Sequence, residues 1–328
     1  MKKINLFIAK TPLQLFNCIE ARNRFHKSEK NVLFYQYQRN IDKIQIENLI
    51  KEEEWVEVIA YPLSPLHRIF FQYFLNKNIL KYKNRVDSCY FGAYNSIISY
   101  FINKVKPREF FIIDDGVKTI KISELIKDGK LDKKGLVRGI KDKLMNSSRA
   151  YIYNAKFFTI YDEVEIFLPN RVIKNNYSAF KEHVSSINKE NIIYFIGTNL
   201  LERSIKTEEI FEQELKKVVL HYKKKSQKLI YILHRYEDID YLNTLSKEYD
   251  FEAVKFDNII EVELLKRGTV PMGVASFAST AVETINMIYG VDATIFELEN
   301  SGIFEKYQEV FVKLYHNFRE KGVDVVRL

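Results

Sequence analysis

At 328 residues, with 46% apolar and 14% aromatic side chains, the chain can fill the cores of two ordinary domains and is neither disordered nor fibrous. Its formal net charge of +8 favours anionic partners, while scattered lysines without a recognition helix or RNA-binding motif argue against nucleic acid. No apolar run approaches the ~20 residues of a membrane span. Residues 1–16 lack the apolar stretch and cleavage site of a signal peptide. Cys18 and Cys89 show no metal-ligand spacing, so a cytosolic protein with reduced core cysteines is expected.

In chain order, "INLFIA" (4–9) reads as a buried strand and "TPLQLFNCIEARNRF" (11–25) as a helix, with Thr11 as N-cap and Pro12 in its first turn. "NVLFYQY" (31–37), "VEVIAYP" (56–62), "SCYFGAY" (88–94) and "EFFIID" (109–114) are further strands with helical segments between them. Continuous apolar strands alternating with helices indicate a parallel sheet covered on both faces. From residue 122 to 177 the pattern is less regular and rich in lysine.

Periodicity resumes with strands at "NIIYFIG" (191–197), "KLIYILH" (228–234), "FEAVKF" (251–256), "TVPMGVA" (269–275) and "ATIFEL" (293–298). Helical patterns lie at 207–225 and 279–289, and again at 304–318. The expected architecture is α/β, two doubly wound Rossmann-like domains facing a central cleft. An N-terminal domain covers 1–187, a C-terminal one 188–303, and 304–328 is a helical tail. The polar stretch 185–191 is the expected linker. The basic segments 223–225 and 127–143 hint at a membrane-surface or polyanion contact, although solvation of helix faces accounts for most of the lysines.

Ligands of doubly wound sheets bind at the carboxyl ends of the strands. Asp114, Asp115 and Gly116 follow the fifth strand, Gly197 and Thr198 follow "IIYFI", and His234 ends "LIYIL". Adjacent carboxylates repel, which can raise one pKa and make a proton acceptor; the same "DDG" also suits a turn. His234 and Arg235 can face a departing phosphate. Ser276, Ser279 and Thr280 lie between a strand and a helix, where hydroxyls and free N–H groups can meet an anion or simply cap the helix.

The opening "INLFIAKTPLQLFNCIEA", the "DDG", the strand-end histidine and the serine-rich "ASFAST", in that order, resemble bacterial sialyltransferases, most closely those of glycosyltransferase family 52. The resemblance implies a GT-B fold and metal-independent, inverting transfer of sialic acid from CMP-sialic acid to a galactose-type sugar of a surface glycan, lipooligosaccharide or capsule. No cofactor is implied. The acceptor, lipid-linked in this reading, would lie on the N-terminal domain and the donor mainly on the C-terminal one, at the inner face of the cell membrane. Carried residue by residue, Asp115 or Asp114 matches the base, and His234 the group on the CMP phosphate. Ser276, Ser279 and Thr280 match the serine motif, Gly197 and Thr198 the donor-domain strand end, and Thr11, Gln14 and Gly116 are placed on the acceptor side. Arg235 stands where the family has proline, and Glu202 is the nearest acid after "YFIG", so Glu202 ranks third as base.

The alternatives are a GT-B transferase using another nucleotide sugar and a non-catalytic nucleotide or sugar binder. A diphosphate donor would call for a further cation, for which Arg203, Arg235 and Lys266 are the candidates.

Overall fold

The computed structural model describes residues 4–51, 53–131, 145–184, 187–299 and 302–327. The chain forms two compact units, Met1–Ala179 and Phe180–Leu328.

The first unit is built on a seven-stranded sheet of β1 (Ile4–Ala9), β2 (Lys30–Tyr37), β3 (Glu57–Pro62), β4 (Val86–Phe91), β5 (Glu109–Ile113), β6 (Lys156–Thr159) and β7 (Val172–Lys174). Its order is β3-β2-β1-β4-β5-β6-β7 and every pairing is parallel. All six residues of β1 are buried, as a central strand covered on both faces requires. The helix that follows, Pro12–Phe25, starts where the sequence places it: Thr11 Oγ1 accepts the Gln14 N–H at 3.2 Å, and Pro12 occupies the first turn, where its missing N–H loses no bond. Cys18 and Cys89 are buried free thiols, and burial raises the pKa of both.

The second unit holds β8 (Asn188–Ile196), β9 (Lys228–Ile232), β10 (Glu252–Val254), β11 (Thr269–Ser276), β12 (Asp292–Glu297) and β13 (Asp324–Arg327). Its order, β10-β9-β8-β11-β12-β13, is again all parallel. The strand order of each sheet reverses once, between β1 and β4 and between β8 and β11. Crevices at such reversals are where doubly wound sheets hold ligands.

Three strands differ from the sequence expectation. β6 and β7 are only four and three residues long and lie in the stretch that reads as irregular, too short for a period to show. β13 belongs to the segment expected to be a helical tail; the helix Glu305–Glu320 does form, and the chain then returns to pair with β12. Residues 188–190 of the expected linker are exposed but pair with Thr269, Val270 and Pro271 as the start of β8. Residues 185 and 186 of that linker, and 132–143 of the basic segment, lie outside the described residues. Among the described residues, no helix is long and apolar enough to cross a membrane.

A buried ion pair between Lys206 and Glu214 anchors the second unit's loop after β8 to the helix Glu208–Lys224. Glu214 also accepts the Glu299 N–H at 3.0 Å, so the same carboxylate holds the segment that leaves β12. With both charges desolvated, removing either partner would strand the other.

Candidate active site

At the carboxyl edge of the first sheet, the two adjacent aspartates have different surroundings. Asp114 is only 3% exposed. Thr159, at the end of β6, donates its hydroxyl to Asp114 Oδ1 at 2.5 Å, and the Ile160 N–H donates to Oδ2 at 2.8 Å. The Asp114 carbonyl accepts from Asn17 Nδ2 at 3.2 Å. Both carboxylate oxygens are thus occupied inside the fold. This corrects the candidacy of Asp114 as base: it ties β5 to the end of β6, and a carboxylate so engaged is not offered to a ligand.

Asp115 is half-buried and carries the exposed side of the pair. Its carboxylate lies 2.9 Å from Lys118 Nζ, and its N–H donates to Thr119 Oγ1 at 3.0 Å. Gly116 adopts φ +63°, the left-handed conformation that turns the chain from β5 into the helix Lys118–Lys127. Close by, the Asp115 carboxylate acts on Tyr94, whose pKa is raised by burial, pulled back by the Arg149 charge and raised again by Asp115. The Arg149 guanidinium lies over the Tyr94 ring at 5.3 Å. Asp115, Lys118, Tyr94 and Arg149 therefore form one polar group, of which the sequence reading contains only Asp115.

The acceptor-side residues also part company. Gln14 is 1% exposed. Its Oε1 accepts the Lys10 N–H at 2.8 Å, and its side chain lies on Gly92, where an added Cβ would stand 2.7 Å from Gln14 Cδ. Gln14 is a packing element between the ends of β1 and β4 rather than a group open to a sugar, a correction to its expected role. Thr11 is half-buried with its hydroxyl engaged as a cap.

In the second unit, the loops after β8 and β9 are joined by a residue that the sequence reading passed over. Glu237 is buried, and its Oε2 accepts the His234 N–H at 2.6 Å while Oε1 accepts the Tyr231 hydroxyl at 2.8 Å. It also takes a hydrogen bond from the Thr198 backbone. Gly197 lacks a side chain because this space is full: a Cβ there would overlap the Glu237 carboxylate and stand 2.8 Å from Tyr231 Cε1. Burial outweighs these donors and pushes the Glu237 pKa up to about 8. The only sequence signal was the spacing of His234 and Glu237 within "HRYE".

His234 itself is held neutral. Burial, and then the positive charges of Arg235, Arg203 and Lys255, lower its pKa to about 3. The Tyr236 N–H donates to its Nδ1 at 3.3 Å. A neutral ring whose Nδ1 accepts must carry its proton on Nε2. His234 thus presents a fixed N–H donor with three cations close enough to act on it. With the ring neutral, that N–H can contact a phosphate, as the sequence leads one to expect, without the ring acting as an imidazolium acid. Lys255 Nζ also donates to the Glu237 carbonyl at 3.2 Å, so this cation is fixed to the same loop. Glu202, the third-ranked base, lies in the exposed loop after β8; partial desolvation and the Asp238 charge raise its pKa.

At the end of β11, Ser276 is fully buried. Its hydroxyl donates to the Ile196 carbonyl at 2.7 Å and accepts the Ala278 and Ser279 N–H groups at 3.3 and 3.0 Å. It locks β8 to β11 at the strand reversal and has no capacity left for a phosphate, a further correction. Ser276→Ala should lower stability by about 1–2 kcal/mol in denaturant titration, the effect of a bond within the fold. Ser279 accepts the Ala281 N–H at 3.3 Å, while the Thr280 side chain makes no cap bond to the helix Ala281–Tyr289. Both are half-buried at the carboxyl edge of the second sheet. Among the described residues, no group of three or more His, Cys, Asp or Glu side chains is placed to hold a metal ion.

No protein-family profile matches the chain, and no curated protein sequence matches it. Solved structures do share its fold. The S. aureus MnaA–UDP co-structure is 10% identical, with a TM-score of 0.54 over 96% of this chain and 83% of that one. Phytolacca americana UGT2, complexed with UDP-2fluoro-glucose and pterostilbene, is 8% identical, with a TM-score of 0.52 over 99% and 85%. UDP-GlcNAc 2-epimerase from Neisseria meningitidis, bound to UDP-GlcNAc, is 12% identical, with a TM-score of 0.50 over 98% and 95%. The fold is GT-B.

These likenesses overturn the sialyltransferase resemblance and the CMP-sialic acid partner that came with it, since these three structures hold UDP or a UDP-sugar. The motif order misleads for a physical reason. Asp114 and Ser276 stand at strand ends in the expected order because each knits neighbouring strands together there. Such bonds satisfy buried polar groups at strand ends whether or not a ligand binds there.

Proposed function

We propose that the protein is a GT-B glycosyltransferase whose second unit binds a uridine diphosphate sugar. The observation that carries this reading is the setting of His234. A neutral ring offers an N–H donor at the carboxyl edge of β9, and Arg203, Arg235 and Lys255 all lie close enough to depress its pKa. A diphosphate needs that much positive potential, and a fixed neutral donor adds a bond that strengthens as charge develops on the leaving oxygen. Lys266, the third cation considered from the sequence, is not among the groups acting on His234. Thr198, Ser279 and Thr280 supply further polar groups at the same sheet edge. The GT-B fold and the UDP ligands of similar structures support uridine over cytidine.

In this reading Asp115 takes the proton of the acceptor hydroxyl as that oxygen attacks the anomeric carbon. The bond from that carbon to UDP breaks, the charge leaves on the diphosphate, and the anomeric centre inverts. No metal is assigned to the step. Calorimetric titration with UDP, CMP and GDP in the presence of EDTA tests the donor side. UDP should bind selectively, and His234→Ala should weaken it by about tenfold. Preference for CMP or GDP, or equal affinity in the variant, would remove the reading.

A further inference from the structure

In the first unit, the helices Pro65–Ile69 and Phe71–Ile79 run on almost as one. The Phe70 N–H donates to the Leu66 carbonyl at 2.9 Å, and the Phe74 N–H to the Phe70 carbonyl at 3.3 Å. Phe71, Leu75 and Ile79 are buried and form the core-facing stripe. The stripe on the opposite side, Leu66, Ile69, Phe70, Tyr73 and Leu80, is apolar too, yet it stands in solvent, with Ile69 67% and Tyr73 77% exposed. Its spacing of three, four and seven residues is that of one helix face. A soluble surface helix has no reason to be apolar on both sides.

The charge pattern says what covers the outer face. Residues 63–86 contain no Asp or Glu, whereas Arg68, Lys77, Lys81, Lys83 and Arg85 are all basic. Lys77 lies within the exposed stripe by helical spacing, four residues after Tyr73. A cavity of about 330 Å³ opens beside it, lined by Tyr61, His67, Tyr73, Phe74 and Lys77 among others. Protein interfaces exclude charge from their apolar centres. Bilayer interfaces instead take aromatic and aliphatic side chains together with lysine and arginine, which reach to the lipid phosphates.

We propose that this face docks on an anionic phospholipid bilayer, with Leu66, Ile69, Phe70 and Tyr73 among the headgroups and Arg68 and Lys77 on lipid phosphates. Lys77 and the aromatic walls of the cavity would receive one headgroup. All of these residues belong to the first unit and none to the donor-binding second unit.

Co-sedimentation of the full chain with vesicles tests it. The protein should pellet with vesicles of equal phosphatidylcholine and phosphatidylglycerol, bind phosphatidylcholine alone more weakly, and lose the difference at high salt. The variant Ile69→Ser/Phe70→Ser/Tyr73→Ser should lose about tenfold in partitioning or more. It should keep the parent's circular dichroism spectrum and UDP affinity, since each of these side chains is more than half exposed. Arg68→Glu/Lys77→Glu should abolish the preference for the anionic lipid. Absence of binding to the mixed vesicles, or unchanged partitioning in both variants, would overturn the proposal. So would a wild-type dimer that the triple-serine variant makes monomeric, which would give the face to a second copy.

Discussion

Glu237→Ala should weaken UDP binding by roughly a hundredfold, about 3 kcal/mol. The loss follows because one carboxyl group serves three donors, the His234 N–H, the Tyr231 hydroxyl and the Thr198 backbone. Without it, the loops after β8 and β9 lose their common anchor and the imidazole its fixed direction. Gly197→Ala should do similar damage from the other side, since the new methyl would overlap the Glu237 carboxylate and press on Tyr231. Glu237→Gln should retain most of the affinity, because an amide can accept from the His234 N–H and still meet the tyrosine oxygen. Equal affinity in Glu237→Ala and the wild type would show that the clasp plays no part in binding.

The same residue sets a pH dependence. The Glu237 carboxyl titrates at about 8 in the fold against 4.5 as its ordinary value. Between those two values the unfolded chain has released the proton and the folded chain still holds it. Its contribution to stability is therefore complete at acid pH and is lost as pH rises through this window. Glu237→Gln cannot ionise, so its denaturation midpoint should fall less than that of the wild type over the same range. Parallel profiles would place the titration on another group.

Asp114→Ala should destabilise the first unit by about 3 kcal/mol or more, the cost of leaving buried donors on Thr159 and Ile160 without an acceptor. Asp115→Asn should behave differently. Its ion pair with Lys118 joins a largely exposed lysine and contributes under about 1 kcal/mol. The denaturation midpoint should hold and UDP should still bind, while sugar transfer falls by orders of magnitude if Asp115 is the base proposed above. The pair separates structure from chemistry: a stable Asp114→Ala, or a fully active Asp115→Asn, would reverse the two assignments.

The sequence determined what local periodicity can carry. Both doubly wound sheets, the buried β1 with its capped helix, and the placing of His234, Gly197 and "DDG" at strand ends all follow from patterns a few residues long. It could not divide Asp114 from Asp115. Their difference depends on Thr159 and Ile160, some 45 residues away on a strand too short to leave a period. Nor could it show that Ser276 is spent on the Ile196 carbonyl 80 residues earlier. That the outer stripe of 65–80 stands uncovered is not visible in one dimension either, because periodicity records that a face is apolar and not whether anything covers it. Only tertiary structure decided these points, since hydrogen-bond partners and burial are fixed by contacts between distant segments, whereas strand and helix patterns are fixed by neighbours along the chain.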